Sequence, residues 1–268
     1  MAIDSPEKRP RRLPAWGIGV IGIVGVILVW WVLGLTITLS TGTKPIPTPP
    51  QVITAFIDNG AAFYFRNFGV TLREAGWGYL WGNLVAIGLS ALVLVLPWLE
   101  GVITQIAVIT YCVPIVAIGI LLAVIIPFPQ AGETSKNAIF LASLSVFFTT
   151  VTGSLLGFKA ADRSALDVVQ VYGGSRFTQL RRVRLIAALP AILNALQIAV
   201  PAAFLGAVLG EFFGKVVTGV GPAMIAAQQQ LNAPGLWALA LLSGLIALAG
   251  FGLLGLVARA VAPWAKGA

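Results

Sequence analysis

Apolar residues in this chain come in long blocks, with neither the strict alternation of a strand nor the charged face of an amphipathic helix. Six blocks, 16–39, 68–96, 102–126, 138–158, 187–213 and 235–261, reach the roughly 20 residues that a helix needs to cross the hydrocarbon layer. The pattern predicts an all-α integral membrane protein with six transmembrane helices. It divides the chain into a basic tail 1–15, a first transmembrane helix 16–39, a loop 40–67, a five-helix core 68–261 that contains a polar loop 159–186, and a tail 262–268. The first block follows Lys8, Arg9, Arg11 and Arg12, as the apolar segment of a signal peptide would. It exceeds the roughly 7–15 residues of such a segment, and no small-residue cleavage motif follows, so it reads as a retained anchor.

Six crossings put both termini on one side, and the basic residues choose that side. The termini and the segments after the second and fourth blocks carry Lys8, Arg9, Arg11, Arg12, Lys159, Arg163, Arg176, Arg181, Arg182, Arg184, Arg259 and Lys266. The opposite side carries Lys44, Arg66, Arg73, Lys136 and Lys215. This imbalance predicts cytoplasmic N and C termini. On the outer side, the run Lys44-Pro-Ile-Pro-Thr-Pro-Pro50 forces extended backbone and leads into a short interfacial helix, 52–65, whose Phe63, Tyr64 and Phe65 suit the headgroup level.

Composition narrows the chemistry. Hydrophobic residues make up 58% and charged residues 10% of the 268, against roughly 45–50% and about 25% in globular domains. There is no histidine and a single cysteine, Cys112, within an apolar block. Imidazole metal sites, histidine-based catalysis and an intrachain disulfide are therefore excluded, and no cofactor is expected. The net charge of +8 is spread over short basic stretches between apolar blocks, which is how membrane orientation is encoded, so nucleic acid is not an expected partner. Membrane lipid is.

Close helix packing in lipid needs small residues at helical spacing. Gly78 and Gly82, Gly153 and Gly157, and the series Gly206, Gly210 and Gly214 supply it. Pro114, Pro127 and Pro201 are candidate bends. Of the nine carboxylates only Glu74 and Glu211 fall at membrane depth. Glu211 suits either a polar pathway or a structural role, snorkelling to water or bonding a neighbouring helix end. Ser143, Ser145, Thr149 and Thr150 cluster in one span and are, with Glu211, the candidate translocation pathway. No phosphate-binding loop is present: Gly210-Glu-Phe-Phe-Gly214-Lys215-Val216 has the wrong spacing and lacks the magnesium-binding hydroxyl, so ATP hydrolysis would need another polypeptide. The scarcity of deep acids also argues against a stand-alone channel or secondary transporter, the alternative function, and against a membrane-embedded enzyme.

Loop 159–186 carries the most specific pattern. Ser164, three residues before Asp167, reads as a capping box, and Gly173 and Gly174 as a left-handed stop, with a two-turn helix between them. Leu166, Val169 and Tyr172 form an apolar stripe on this helix, flanked by Lys159, Arg163 and Arg176. Such a stripe fits a protein groove, and an amphipathic loop resting on lipid is the other reading the spacing allows. Ser175 then caps a second helix whose Arg181, Arg182 and Arg184 mark re-entry into the membrane.

The run Asp167-Val-Val-Gln-Val-Tyr-Gly173-Gly-Ser-Arg176, with Val183, Leu185 and Ala-Ala-Leu-Pro190, resembles the EAA loop of the permease subunits of type I ABC importers. Asp167 stands at the motif's glutamate, Val168 and Val169 at its alanines, Gly173 at its glycine, Val183 at its isoleucine, Leu185 at its leucine and Ile186 at its proline. Only the glycine and leucine are identical. The likeness runs from the Pro-Thr-Pro-Pro-Gln51 lead to Gly219-Val-Gly221, and its style is similar to the nitrate, sulfonate, taurine and bicarbonate group.

The resemblance implies a permease of the bacterial inner membrane that is itself no enzyme. Its implied partners are cytoplasmic ABC ATPase subunits, a second permease copy or homologous permease, and an extracytoplasmic solute-binding protein. It further implies that Ser164, Leu166, Asp167, Val169, Tyr172, Gly173 and Gly174 form the cytoplasmic coupling helix between helices 4 and 5, and that a small anion or polar organic solute is carried.

Overall fold

The computed structural model describes residues 15–37, 44–130 and 133–264. The expected tails, including Lys8, Arg9, Arg11, Arg12 and Lys266, and the end of the first block lie largely outside them. Among the described residues all regular structure is helical: α1 (Ala15–Thr36), α2 (Pro49–Val95), α3 (Leu99–Cys112), α4 (Ile115–Ile125), α5 (Lys136–Lys159), α6 (Arg163–Val171), α7 (Arg176–Gln179), α8 (Leu185–Phe213), α9 (Val220–Gln229) and α10 (Ala233–Val261). A single π-helical turn, Leu180–Arg184, joins α7 to α8. Five helices are long and apolar enough to cross a membrane, and a bent pair, α3 with α4, passes the same test only when taken together, which gives up to six.

The spans match the sequence pattern, and the differences have local causes. The third block is two helices bent by 89°. Pro114 cannot donate to the carbonyl of Thr110, and it forces the preceding residue out of the helical region, so Val113 adopts φ −71°, ψ 127°. The expected interfacial helix 52–65 begins at Pro49 behind a capping box, in which the Thr48 amide donates to Gln51 Oε1 at 2.9 Å. It breaks at Gly60 (φ 73°, ψ 156°), and 61–67 belongs to the second span instead of to the loop. Helix α9 was not anticipated in the segment 214–234. Pro190 and Pro201 remain inside α8 without breaking it.

Helix α5 is the centre of the bundle, and glycines let its neighbours approach. Gly78 and Gly82 of α2 lie against Ile139, Ala142 and Ser143; a Cβ on Gly82 would come 2.5 Å from the Ser143 carbonyl. Gly153 and Gly157 of α5 receive α8, and a Cβ on Gly157 would come 2.9 Å from the Ala188 carbonyl. Gly206 and Gly210 of α8 return the contact against Leu141 and Ala138. The matched pairs show that α2 and α5 run parallel while α5 and α8 run antiparallel, which requires the bent α3–α4 pair to bring the chain back across. Without a hydrophobic drive between helices in lipid, this backbone-level van der Waals contact holds the bundle together.

Helix α1 stands apart with most of its side chains exposed. Its attachment is aromatic and local. Trp30 stacks on Trp237 of α10 with ring centroids 5.5 Å apart. Their indoles donate to Pro47 O (3.0 Å) and Pro45 O (3.2 Å), so the proline-rich lead is clasped between α1 and α10.

Gly157→Val places a branched side chain into the Ala188 backbone, whereas Gly88, with nothing near its Cβ position, has room. The expected outcome is a destabilisation of roughly 1–3 kcal/mol for Gly157→Val and little change for Gly88→Val, measured by thermal melting of the detergent-solubilised protein.

Candidate functional site

Two polar constructions stand at opposite ends of the bundle. One is the hairpin of α6 and α7. Asp162, two residues upstream of the expected cap, is the N-cap: its carboxylate accepts from the Ser164 amide (3.1 Å) and from the Ser164 hydroxyl (2.9 Å). The expected Ser164–Asp167 capping box is therefore replaced, and Asp167 is exposed. The stop forms as the glycines suggest. Gly173 sits at φ 75° and donates to Gln170 O (2.9 Å), and Gly174 donates to Val169 O (2.8 Å), a Schellman closure. Ser175 caps α7 by accepting from the Thr178 amide.

The hairpin is rooted in the bundle. Leu180 is buried with Phe158, Ala188 and Ile192. Arg184 donates to Phe158 O at 3.2 Å, and Gln179 donates to Leu166 O at 3.3 Å. Helix α6 itself buries no residue. Of the expected stripe, Leu166 and Val169 are half-buried and turned toward the hairpin's own interior, where Gly174 abuts Val169. Tyr172 is 87% exposed, and it is joined by Val168, Val171 and, from α7, Phe177. The outward apolar face is thus Val168, Val171, Tyr172 and Phe177. The sequence signal for it was present in the i, i+3, i+4 spacing of Val168, Val171 and Tyr172. Spacing alone could not decide which of two apolar faces points outward.

The other construction is a buried polar cluster where α2, α5, α8 and α9 meet. Asn67, Thr71 and Glu74 occupy one face of α2, and Glu211 comes from α8; all four are buried. The first turn of α9 points its amides at them: Gly219 N–H to Asn67 Oδ1 (3.2 Å), Val220 N–H to Thr71 Oγ1 (2.9 Å) and Gly221 N–H to Glu211 Oε2 (2.7 Å). Thr71 in turn donates to Glu211 Oε1. A carboxylate satisfies the orphan amides of a helix start and suits its positive dipole end. Gly219, at φ 152°, must be glycine, since a Cβ would meet the Glu211 carboxyl group. Glu74, near Glu211, accepts from the backbone amide of Ser135, the N-cap of α5.

Of the two roles open to Glu211, the geometry shown is the bond to a neighbouring helix end. The remaining pathway candidates do not share one space with it. Thr150 is buried and donates to Asn83. Ser145 donates to Leu141 O (2.8 Å) and lies against Gly206. Thr149 is half-buried. Ser143 donates to Ile139 O (2.9 Å) and lines a groove of about 160 Å³ with Trp81, Phe140 and Phe147. Thr71 was missed because an isolated neutral residue in a span carries no signal until its distant partner is known, and Asn67 because it was placed at the end of the loop 40–67.

Residues 78–263 match the family described as the binding-protein-dependent transport system inner membrane component. The chain belongs to that family. This permease is 31% identical over 211 residues to a probable ABC transporter permease of Haemophilus influenzae, covering 78% of this chain and 82% of the relative. A riboflavin transport system permease of Chloroflexus aurantiacus is 25% identical over 262 residues, 97% of this chain and 95% of its own. A putative aliphatic sulfonates transport permease of Bacillus subtilis is 26% identical over 230 residues, 84% and 80%. The fold is that of a solved bacterial ABC transporter that imports alginate: TM-score 0.60 at 13% identity, over 92% of this permease and 96% of that chain. The permease is thus an inner-membrane subunit of an ABC importer, a transport protein by family.

Thr71→Val leaves the Val220 amide and one Glu211 oxygen without a partner inside the protein. A loss of roughly 1–3 kcal/mol is expected, with faster hydrogen exchange confined at first to the start of α9. Ser145→Ala, outside this network, serves as the control and should leave that exchange unchanged.

Proposed function

We propose that this permease forms half of a translocation pathway with a second copy or a homologous permease, and that the α6–α7 hairpin is the coupling element gripped by a separate cytoplasmic ATPase subunit. An extracytoplasmic solute-binding protein delivers the solute on the opposite side. The observation that carries this reading is the exposed face of Val168, Val171, Tyr172 and Phe177 on a hairpin anchored through Leu180 and Arg184. Four large apolar side chains held outside the bundle on a basic-flanked turn favour a protein groove as their partner. Ser164, Asp167, Gly173 and Gly174 shape the helix, and Leu166 and Val169 fasten it to its own turn. The hairpin lies at the same end as the α2–α3 turn, where the end of α5 is tied to the start of α3 by the Lys159–Glu100 ion pair.

The excess of Lys and Arg at that end supports a cytoplasmic placement of the hairpin and both termini. The solute class proposed is a small anion or polar organic molecule such as nitrate, a sulfonate, taurine or bicarbonate. The sulfonate relative supports this class. Ser143, which lines an open groove, is the pathway candidate proposed to face the second copy.

Val171→Asp with Tyr172→Asp should abolish copurification of the ATPase and solute uptake while the permease still inserts at wild-type level. Retained ATPase binding in the double variant would overturn the docking assignment. Sidedness is tested with Tyr172→Cys in a Cys112→Ala background. A membrane-impermeant thiol reagent should label it in inverted vesicles and leave it unlabelled in intact cells.

A further inference from the structure

A cleft of about 250 Å³ lies between α8 and α10, lined by Asn194 and Gln197 from one helix and Gly255, Ala258 and Arg259 from the other. The two helices run antiparallel here, so positions i, i+3 of α8 face positions i, i+3, i+4 of α10. Gly255 makes the opening: a Cβ there would come 2.7 Å from Gln197 Nε2. Asn194 lies about 15 Å beyond Arg184 along α8, which puts the polar lining inside the edge of the hydrocarbon layer. Arg259 itself sits in the last turn of α10 and is exposed, so its charge stays within reach of the head-group level. Among the described residues the only ion pair is Lys159–Glu100, so no described carboxylate pairs with Arg259 at the cleft. The two side-chain amides beside it make no hydrogen bond to a described residue and add further donors. Beside the lining residues in sequence on the same two helices, apolar side chains are exposed: Ile198 (45%) on α8, and Leu256 (62%) and Val261 (45%) on α10.

We propose that this cleft binds the phosphate head group of an acidic phospholipid. Arg259 supplies the charge, Asn194 and Gln197 supply hydrogen bonds, and the exposed apolar side chains on either rim form the bed for the acyl chains. A polar slot beside exposed apolar side chains of the same two helices matches an amphiphile entering sideways from the leaflet, where a soluble anion would leave those side chains unused. That leaflet is the cytoplasmic one on the orientation proposed above; the binding itself does not depend on sidedness.

The experiment compares lipids retained by the detergent-purified transporter complex after exchange into mixed micelles containing phosphatidylglycerol and phosphatidylcholine, read by native mass spectrometry. Wild type should retain phosphatidylglycerol selectively. Arg259→Gln should lower that retention about fivefold, the worth of one cation at an anionic surface. Ala258→Leu, which fills the cleft without altering charge, should lower it as well. Equal retention by wild type and both variants overturns the proposal. So does an altered uptake KM with lipid retention unchanged, which would mark the cleft as part of the solute route. Because lipid retention is read without transport, loss of ATPase docking would leave this result intact, and the two readings fail separately.

Discussion

The close approach of α5 to both α2 and α8 is the constraint from which the remaining structure follows. In water such helices would be driven together by burial of their apolar faces. In lipid that drive is absent, and contact must be made atom by atom. Gly78 and Gly82 on α2, Gly153 and Gly157 on α5, and Gly206 and Gly210 on α8 remove side chains where they would hold the backbones apart. The alanines and serines that face them, Ala138, Ala142, Ser143, Ala188 and Ala195, complete a seam of small residues along the full height of α5. Larger side chains, Val146, Val151 and Phe158 among them, then pack fully buried beside the seam.

That seam also explains why polar groups can be buried at the end where α9 sits. Two carboxylates with negligible exposure would be a heavy cost in isolation. Here α2, α5 and α8 are already held at short range, so Glu74 and Glu211 stand within reach of the free amides at the starts of α5 and α9. Glu211 meets the start of α9 with both oxygens hydrogen-bonded, whereas Glu74 meets the Ser135 amide through Oε1 and keeps Oε2 buried without a partner among the described residues. The short helix α9 packs Val220, Ala223 and Met224 into the apolar cluster shared by α2, α5, α8 and α10, and its start is fixed by three backbone amides that find Asn67, Thr71 and Glu211.

Much of this was legible in the residues, and the illegible parts have a common character. Span positions follow from block length, the glycine series from spacing, and the closure of α6 from Gly173 and Gly174, because each depends on neighbours a few positions away. Pro114 breaks its span while Pro190 and Pro201 do not, and nothing local separates them. All three remove one hydrogen bond, and the outcome depends on whether packing holds the helix together around the gap, as α5 does along α8. The same applies to the faces of α6. Val169 and Val171 are equally apolar, and only the fold of Gly174 back onto Val169 turns one inward and leaves the other in the open. Asn67, at the end of the expected loop, and Thr71, in a span, look like ordinary neutral residues until residues about 150 positions away are folded against them.

The two polar ends are joined by one element. From Arg176 to Phe213 the chain is a single apolar helical rod, with the hairpin at one end and Glu211, two residues from its finish, at the other. On the proposed docking, force applied to Tyr172 and Phe177 enters the bundle through Leu180 and Arg184, which contact Phe158 at the end of α5. Because α5 and α8 are close-packed along their length, they cannot slide past one another by small amounts without driving alanines into backbone. They move as a pair, and α9 moves with them through Glu211. The π-helical turn and the two prolines are the places where the rod lacks regular i to i+4 bonds, so they are where it can flex. On that proposal, a hairpin displaced by a closing partner would tilt the close-packed α5–α8 pair with α9 at its far end, the mechanical link that coupling events at the two ends of the bundle requires.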